Sequence, residues 1–151
     1  IKYMFLSHRD DVADHCKYHE HFGCERIMHV DDLTKDTEGV ERIIQGIEPV
    51  KLDQDLLVIP VPGHTKGSIS LLYNDKYLFT GDHLAMNPNR AHPTAFNNHC
   101  WYNWEEQIKS MKKIAEYSFE WILPGHSLHC YFPKDEMAEK IQMCIDWMEK
   151  T

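Results

Sequence analysis

Residues 56–68 read Leu-Leu-Val-Ile-Pro-Val-Pro-Gly-His-Thr-Lys-Gly-Ser. An apolar run of this length, closed by Pro62-Gly63, is a strand that stops abruptly. Pro62 fixes the direction in which the chain leaves, and Gly63 lets the backbone turn tightly, so His64 stands just past the strand. The design recurs in Phe5-Leu6-Ser7-His8, Leu78-Phe79-Thr80-Gly81-Asp82-His83 and Ile122-Leu123-Pro124-Gly125-His126-Ser127. Strand ends in an α/β sheet point into one crevice, where such folds bind ligands. Neutral imidazoles with a carboxylate are the donors that Zn2+ or Fe2+ prefers. A lone Pro-Gly-His is usually a turn histidine. Two of them after strands, with Gly81-Asp82 between and His8-Arg9-Asp10-Asp11 upstream, make His8, His64, Asp82 and His126 candidate metal ligands.

Outward from these motifs, the patterning alternates strands and helices. Ile1 to Ser7 reads as a strand, and about Asp10 to Phe22 as a helix with acids in its first turn, where the helix dipole favours them. Glu25 to Val30 reads as a second strand. Residues 31–50 are polar and irregular, with a short helix expected around Val40 to Ile44. Ser68 to Tyr73 and Lys76 to Thr80 form a hairpin around Asn74-Asp75. Residues 83–103 form a long loop, of the kind that serves a site. Trp104, Ile108, Met111 and Ala115 recur at helical spacing, so 104–117 is an amphipathic helix. Glu120 to Leu123 is a strand, and Met137, Ile141, Cys144, Ile145 and Met148 mark a C-terminal helix whose apolar stripe is core. The order β-α-β-β-β-β-α-β-α is that of an α/β protein with a mixed sheet, and residues 1–151 are read as one domain.

Composition narrows the function. The 151 residues carry a formal net charge of −8 at a composition 42% hydrophobic and 26% charged. An acidic surface repels phosphate backbones, which disfavours nucleic acid as a partner. No run of eighteen apolar residues is present, so no membrane span is expected. The five cysteines are scattered and form no C-x-x-C pair, which fits a reducing compartment such as the cytoplasm, or a plastid stroma if the source is a plant or alga. Eleven histidines are the compositional outlier.

The motifs Pro62-Gly63-His64-Thr65-Lys66-Gly67-Ser68, Phe79-Thr80-Gly81-Asp82-His83-Leu84 and Leu123-Pro124-Gly125-His126-Ser127 resemble those of the metallo-β-lactamase-fold hydrolases, along nearly the whole chain. Trp104-Glu105-Glu106-Gln107-Ile108 also looks like that family's helix between the bridging aspartate and the last histidine. The resemblance implies an αββα sandwich with mixed sheets and carries His64, Asp82 and His126 over as metal ligands. The first motif, His8-Arg9-Asp10-Asp11-Val12-Ala13-Asp14-His15, departs from the family's His-x-His-x-Asp-His and resembles a subgroup of cyanobacterial and plant plastid proteins. Without gaps, Asp10 replaces the second histidine, and Val12-Ala13 fall where Asp-His belongs. A small gap brings Asp11 to the aspartate position; a longer one aligns Asp14-His15 with the Asp-His pair. His8, Asp10 and Asp11 are the favoured ligands here, with Asp14 and His15 as a second tier. Asp10 as a helix cap, and Asp14 paired with Lys17, are the bland alternatives.

The chain begins just before this motif, so the first strands of the sandwich's N-terminal half are expected to be absent. Either the sequence is a fragment, or a further segment or a second copy covers the sheet face. The resemblance implies hydrolysis of a thioester, lactone, amide or phosphoester, small-molecule substrates, by a metal-bound hydroxide. One or two Zn2+ ions are expected, with Fe or Mn as other candidates. Asp11 and Asp82 are the catalytic candidates, Asp82 bridging cations and Asp11 or Asp14 accepting the proton. The alternatives are a non-catalytic ligand- or partner-binding relative with a degenerate site holding no metal, and a non-haem iron redox protein.

Overall fold

Two sheets carry the fold in the computed structural model, which describes residues 1–10 and 12–151. The first holds β1 (Tyr3–Phe5), β2 (Glu25–His29) and β3 (Arg42–Ile44), in that order and all parallel. Parallel neighbours need a crossover, and α1 (His15–Phe22) lies on the connection between β1 and β2. The second sheet begins with β4 (Val50–Asp53), β5 (Leu56–Pro60), β6 (Ile69–Tyr73) and β7 (Tyr77–Gly81), an antiparallel meander. A two-stranded ribbon follows, β8 (Ala85–Met86) with β9 (Pro93–Thr94), and then α2 (Trp104–Ile114). The chain returns to the second sheet as β10 (Trp121–Pro124), parallel to β7, and β11 (Cys130–Tyr131), and ends in α3 (Lys134–Met148). Strands β5, β7 and β10 therefore run in one direction, and the residues that follow them leave from one edge.

Side-chain alternation along the central strands sorts the core into layers. Val58 and Leu71 face Ile27 and Ile44 of the first sheet, closing the space between the sheets. Their neighbours Ile59 and Leu72 join Leu78, Ile122, Met111, Ile114 and Ile141 in the larger cluster under α2 and α3. With α1 against β2, the layer order is α-β-β-α. Among the described residues no helix is long and apolar enough to cross a membrane.

Several local expectations change. The first helix starts at His15, because Asp14 takes a left-handed φ of 62°, which an α-helix of L-residues cannot continue. Asp10 therefore lies in a loop. The helix ends on Gly23, also left-handed, whose N–H is accepted by the His19 carbonyl. The short helix expected around Val40 to Ile44 is instead strand β3. Ile44 fills the inter-sheet core, and Arg42 bridges to Glu25 of β2 through two hydrogen bonds of 2.8 and 2.9 Å. The polar stretch 31–50 also reaches into β4. The loop 83–103 carries the β8–β9 ribbon and a 3-10 turn at Asn97–His99. The hairpin turn matches its reading: Asn74 and Asp75 both have positive φ, 55° and 45°.

Candidate metal centre

His8 follows β1 by three residues, held by its neighbour. The Ser7 carbonyl accepts from the Ile69 N–H at 2.9 Å, which ties the first-sheet strand end to β6. Ser7 Oγ lies 3.0 Å from His8 Nδ1. Gly81 closes over this pair: a Cβ there would sit 2.5 Å from Ser7 Oγ, at a φ of +52° that disfavours L side chains. His8 is buried, and its Nε2 lies 3.6 Å from Asp82 Oδ2 and 3.9 Å from Asp10 Oδ2.

His64 is equally buried and is turned by the loop that precedes α2. A carbonyl can only accept, so the 2.5 Å contact of His64 Nδ1 with the His99 carbonyl makes Nδ1 the protonated nitrogen. Its Nε2 is left as a bare lone pair, 3.4 Å from Asp10 Oδ2 and 3.9 Å from Asp82 Oδ2. The two rings meet edge to face with centroids 4.8 Å apart. His126 approaches from the β10 turn, with Nε2 3.7 Å from Asp82 Oδ2, and is two thirds exposed. The Gly125 N–H donates to the Gly81 carbonyl at 2.8 Å, locking the β7 and β10 turns together.

One carboxylate oxygen, Asp82 Oδ2, thus faces three imidazole nitrogens. His8, His64 and Asp82 offer donor atoms all within 4.8 Å of one another. His8 Nε2, His64 Nε2 and Asp82 Oδ1 are buried and have no hydrogen-bond partner. Orphaned buried polar atoms cost free energy, and a cation at their focus would satisfy all three. Burial, the largest influence, holds the His8 imidazole below its ordinary pKa although Asp82 pulls the other way, so its lone pair stays available. The donor set fits a divalent metal ion.

Asp32 is the supporting residue that the sequence reading missed. Its buried carboxylate accepts from the Arg9 N–H at 3.1 Å, Thr65 Oγ1 at 2.5 Å and the Gly67 N–H at 2.8 Å. It joins the loop after His8 to the loop after His64. An Asp-Asp pair directly after a strand, Asp31-Asp32, was the available signal.

No protein-family model matches the sequence. A curated relative, the uncharacterized protein YobT of Bacillus subtilis (strain 168), is 30% identical over 95 residues. That match covers 58% of this chain and spans only 40% of the relative's length. Among solved structures, a metallo-β-lactamase from Pontibacter korlensis superposes with a TM-score of 0.70 at 12% identity, covering 100% of this chain and 70% of that one. The chain has the metallo-β-lactamase fold. A metallo-β-lactamase superfamily protein from the archaeon Sulfolobus tokodaii (TM-score 0.66, 16% identity) and ETHE1 from Myxococcus xanthus (0.61, 21%) superpose in the same way. They cover 99% and 98% of this chain, and 68% of each of theirs.

On the metallo-β-lactamase fold, the residues singled out by sequence fall into two groups. His8, Asp10, His64, Asp82 and His126 come together. Asp14 instead pairs with Lys17 at 2.7 Å, and His15 packs its Nδ1 3.0 Å from Arg26 Nη1. Asp11 lies outside the described residues. His99 and Ser127 line the cleft beside the cluster, together with Phe96 and Trp101. His83 is wholly buried, which pushes its pKa down to about 3. Arg90 stacks over Trp147 at 4.1 Å from the ring centre, away from the cleft lining.

Proposed function

We propose that the chain is a metal-dependent hydrolase whose cation is held by His8, His64, Asp82 and His126, with Asp10 beside them. The observation that carries this reading is the pair of buried imidazole nitrogens, His8 Nε2 and His64 Nε2, left without partners and converging on Asp82. A bound divalent cation supplies Lewis acidity, and a water acidic enough to ionise near neutral pH. The chain's own residues do the rest. His99, through its carbonyl, fixes the His64 tautomer. Asp82 Oδ2, shared among three imidazoles, offsets cationic charge at the centre of the cluster. Asp10, 42% exposed and 3.4 Å from His64 Nε2, is the carboxylate placed to accept a proton at the mouth of the cleft. Asp11 keeps the same proposed role from the sequence. The substrates are thioesters, lactones, amides or phosphoesters. Zn2+ suits the imidazoles, whereas the two carboxylates extend the set toward Fe2+ or Mn2+.

A second reading is a ligand-binding relative without catalysis, favoured by the exposure of His126 on the open side of the cleft. Elemental analysis of protein purified without added metal tests both. About one to two equivalents of Zn or Fe, lost in His64→Ala and Asp82→Ala, support the metal centre. Less than about a tenth of an equivalent under every condition rejects it. With metal present, turnover of thioester, lactone or phosphodiester probes separates hydrolase from binding relative.

A further inference from the structure

One side chain of α2 reaches the loops of two metal donors at once. Gln107 is buried, 1% exposed, and stands outside the cleft lining. Burying an amide costs free energy unless both of its ends are bonded. The Gln107 Nε2–H donates to the His83 carbonyl at 3.0 Å, one residue past Asp82, but its Oε1 is buried with no hydrogen-bond partner. A methionine of the same length would fill this space without the orphaned oxygen. Packing therefore does not account for the amide, whereas its hold on the His83 carbonyl does.

The same residue supports the loop of His64. A Cβ on Gly63 would lie 2.6 Å from Gln107 Cα, so the turn before His64 rests directly on the helix at this position. Two further bonds keep it there: Ser110 Oγ–H donates to the Pro62 carbonyl at 2.7 Å, and Asn103 N–H to the Gly63 carbonyl at 3.2 Å. Among the described residues, the Gln107 amide is the one hydrogen bond from α2 to the loop of Asp82. His64 Nε2 and Asp82 Oδ2 lie 3.9 Å apart on these two loops. Donors to one cation must keep their places to within about 0.5 Å, and loops hold such tolerances only when a rigid element supports them.

We infer that Gln107 is a positioning residue of the metal centre. It touches no donor atom, and it sets the spacing of His64 and Asp82 by fixing both loops to one turn of α2. The inference rests on the metal-centre reading for what the spacing serves, though not for the spacing itself.

The test compares Gln107→Met, which keeps the length and loses the donor, with Ser110→Ala, which frees a bond to the His64 loop alone. Thermal melts grade the structural cost of each variant. Competition with a chromophoric chelator gives Zn2+ affinity, and the visible bands of Co2+-loaded protein report donor geometry. Gln107→Met is expected to weaken Zn2+ binding by about tenfold or more and to move the Co2+ bands, with Ser110→Ala staying within about twofold of the parent. Zn2+ affinity of Gln107→Met within about twofold of the parent, with unmoved bands, overturns the inference. So does an equal loss in Ser110→Ala, which would reduce the effect to general loosening. Gln107→Leu, also without a donor, is read in the same way if the methionine variant does not fold. Ring NMR signals of His64 in cation-free protein separate the two readings. If they move in Gln107→Met and not in Ser110→Ala while the parent binds no Zn2+, the metal centre fails and the positioning stands; if they do not move, the positioning fails.

Discussion

His64 gives its Nδ1 proton to the carbonyl of His99, and this bond decides which ring nitrogen carries the lone pair. The acceptor belongs to the backbone, so no side-chain substitution at position 99 removes it. His64 is consequently a buried donor oriented by the main chain, whereas His126 is the most exposed of the three histidines.

Unequal donors should have unequal effects. His64→Ala is expected to weaken Zn2+ binding by more than about 100-fold, beyond the ~10–100-fold typical of losing an outer partner, and His126→Ala by about tenfold. Competition with a chromophoric chelator measures both. Equal losses would show that exposure does not grade the donors.

Asp32 is expected to matter for stability although it touches no donor atom of the cluster. Asp32→Ala leaves the Arg9 and Gly67 N–H groups and the Thr65 hydroxyl without their buried acceptor. A loss of about 2–4 kcal/mol follows, read from the urea midpoint with an unchanged slope. A shift below about 0.5 kcal/mol would refute the role.

Two glycines should respond in opposite ways to alanine. At Gly81 the added Cβ meets Ser7 at 2.5 Å and the φ is +52°, so Gly81→Ala should cost about 1–3 kcal/mol and displace His8. At Gly39 nothing lies within 4 Å and no positive φ is present, so Gly39→Ala should be neutral or stabilising by up to about 1 kcal/mol. Thermal melts of the two variants check the contrast.

Acid should loosen the first sheet. The Arg26 guanidinium holds the Glu41 carboxyl down at about 2, from an ordinary value of 4.5, chiefly through side-chain hydrogen bonds. A depressed carboxyl contributes stability that is complete above pH 4.5 and is lost as pH falls toward 2. The difference in urea midpoint between the parent chain and Glu41→Gln should therefore shrink from pH 6 to pH 3. A constant difference would mean that the ionisation of Glu41 contributes nothing to stability.

The strand-end motifs made the fold legible, because an apolar run cut by Pro-Gly or Gly-Asp has one physical reading. Val58 and Ile59 fill opposite layers, as a buried strand requires. The first motif was harder. Nothing local marks that Asp14 leaves helical geometry, so acids at 10–14 looked like a helix's first turn. With the helix beginning at His15, Asp10 stays in the loop and reaches His64, while Asp14 is taken up by Lys17. β3 spans only three residues, too few for a period of 2 to be told from a helical one. β4 did carry a signal, since Val50 and Leu52 alternate with Lys51 and Asp53. Asp32 escaped because two of its donors, Thr65 and Gly67, lie 33 and 35 residues away.

The donors are divided between the two sheets: His8 leaves β1, and His64, Asp82 and His126 leave β5, β7 and β10. A cation gripped by both groups would act as a further rivet between layers that also meet through a small apolar cluster, the Ile69–Ser7 backbone bond and the Asp32 carboxylate. By mass action, a free ion at about one hundred times its dissociation constant adds about 2.7 kcal/mol to the native state. Stripping the ion should then unfasten β1–β3 first, with amide exchange there quickening before it does in β5–β7. Scarcity of the metal in the surroundings would register as a loss of cohesion, and the chain's lifetime would report on its supply.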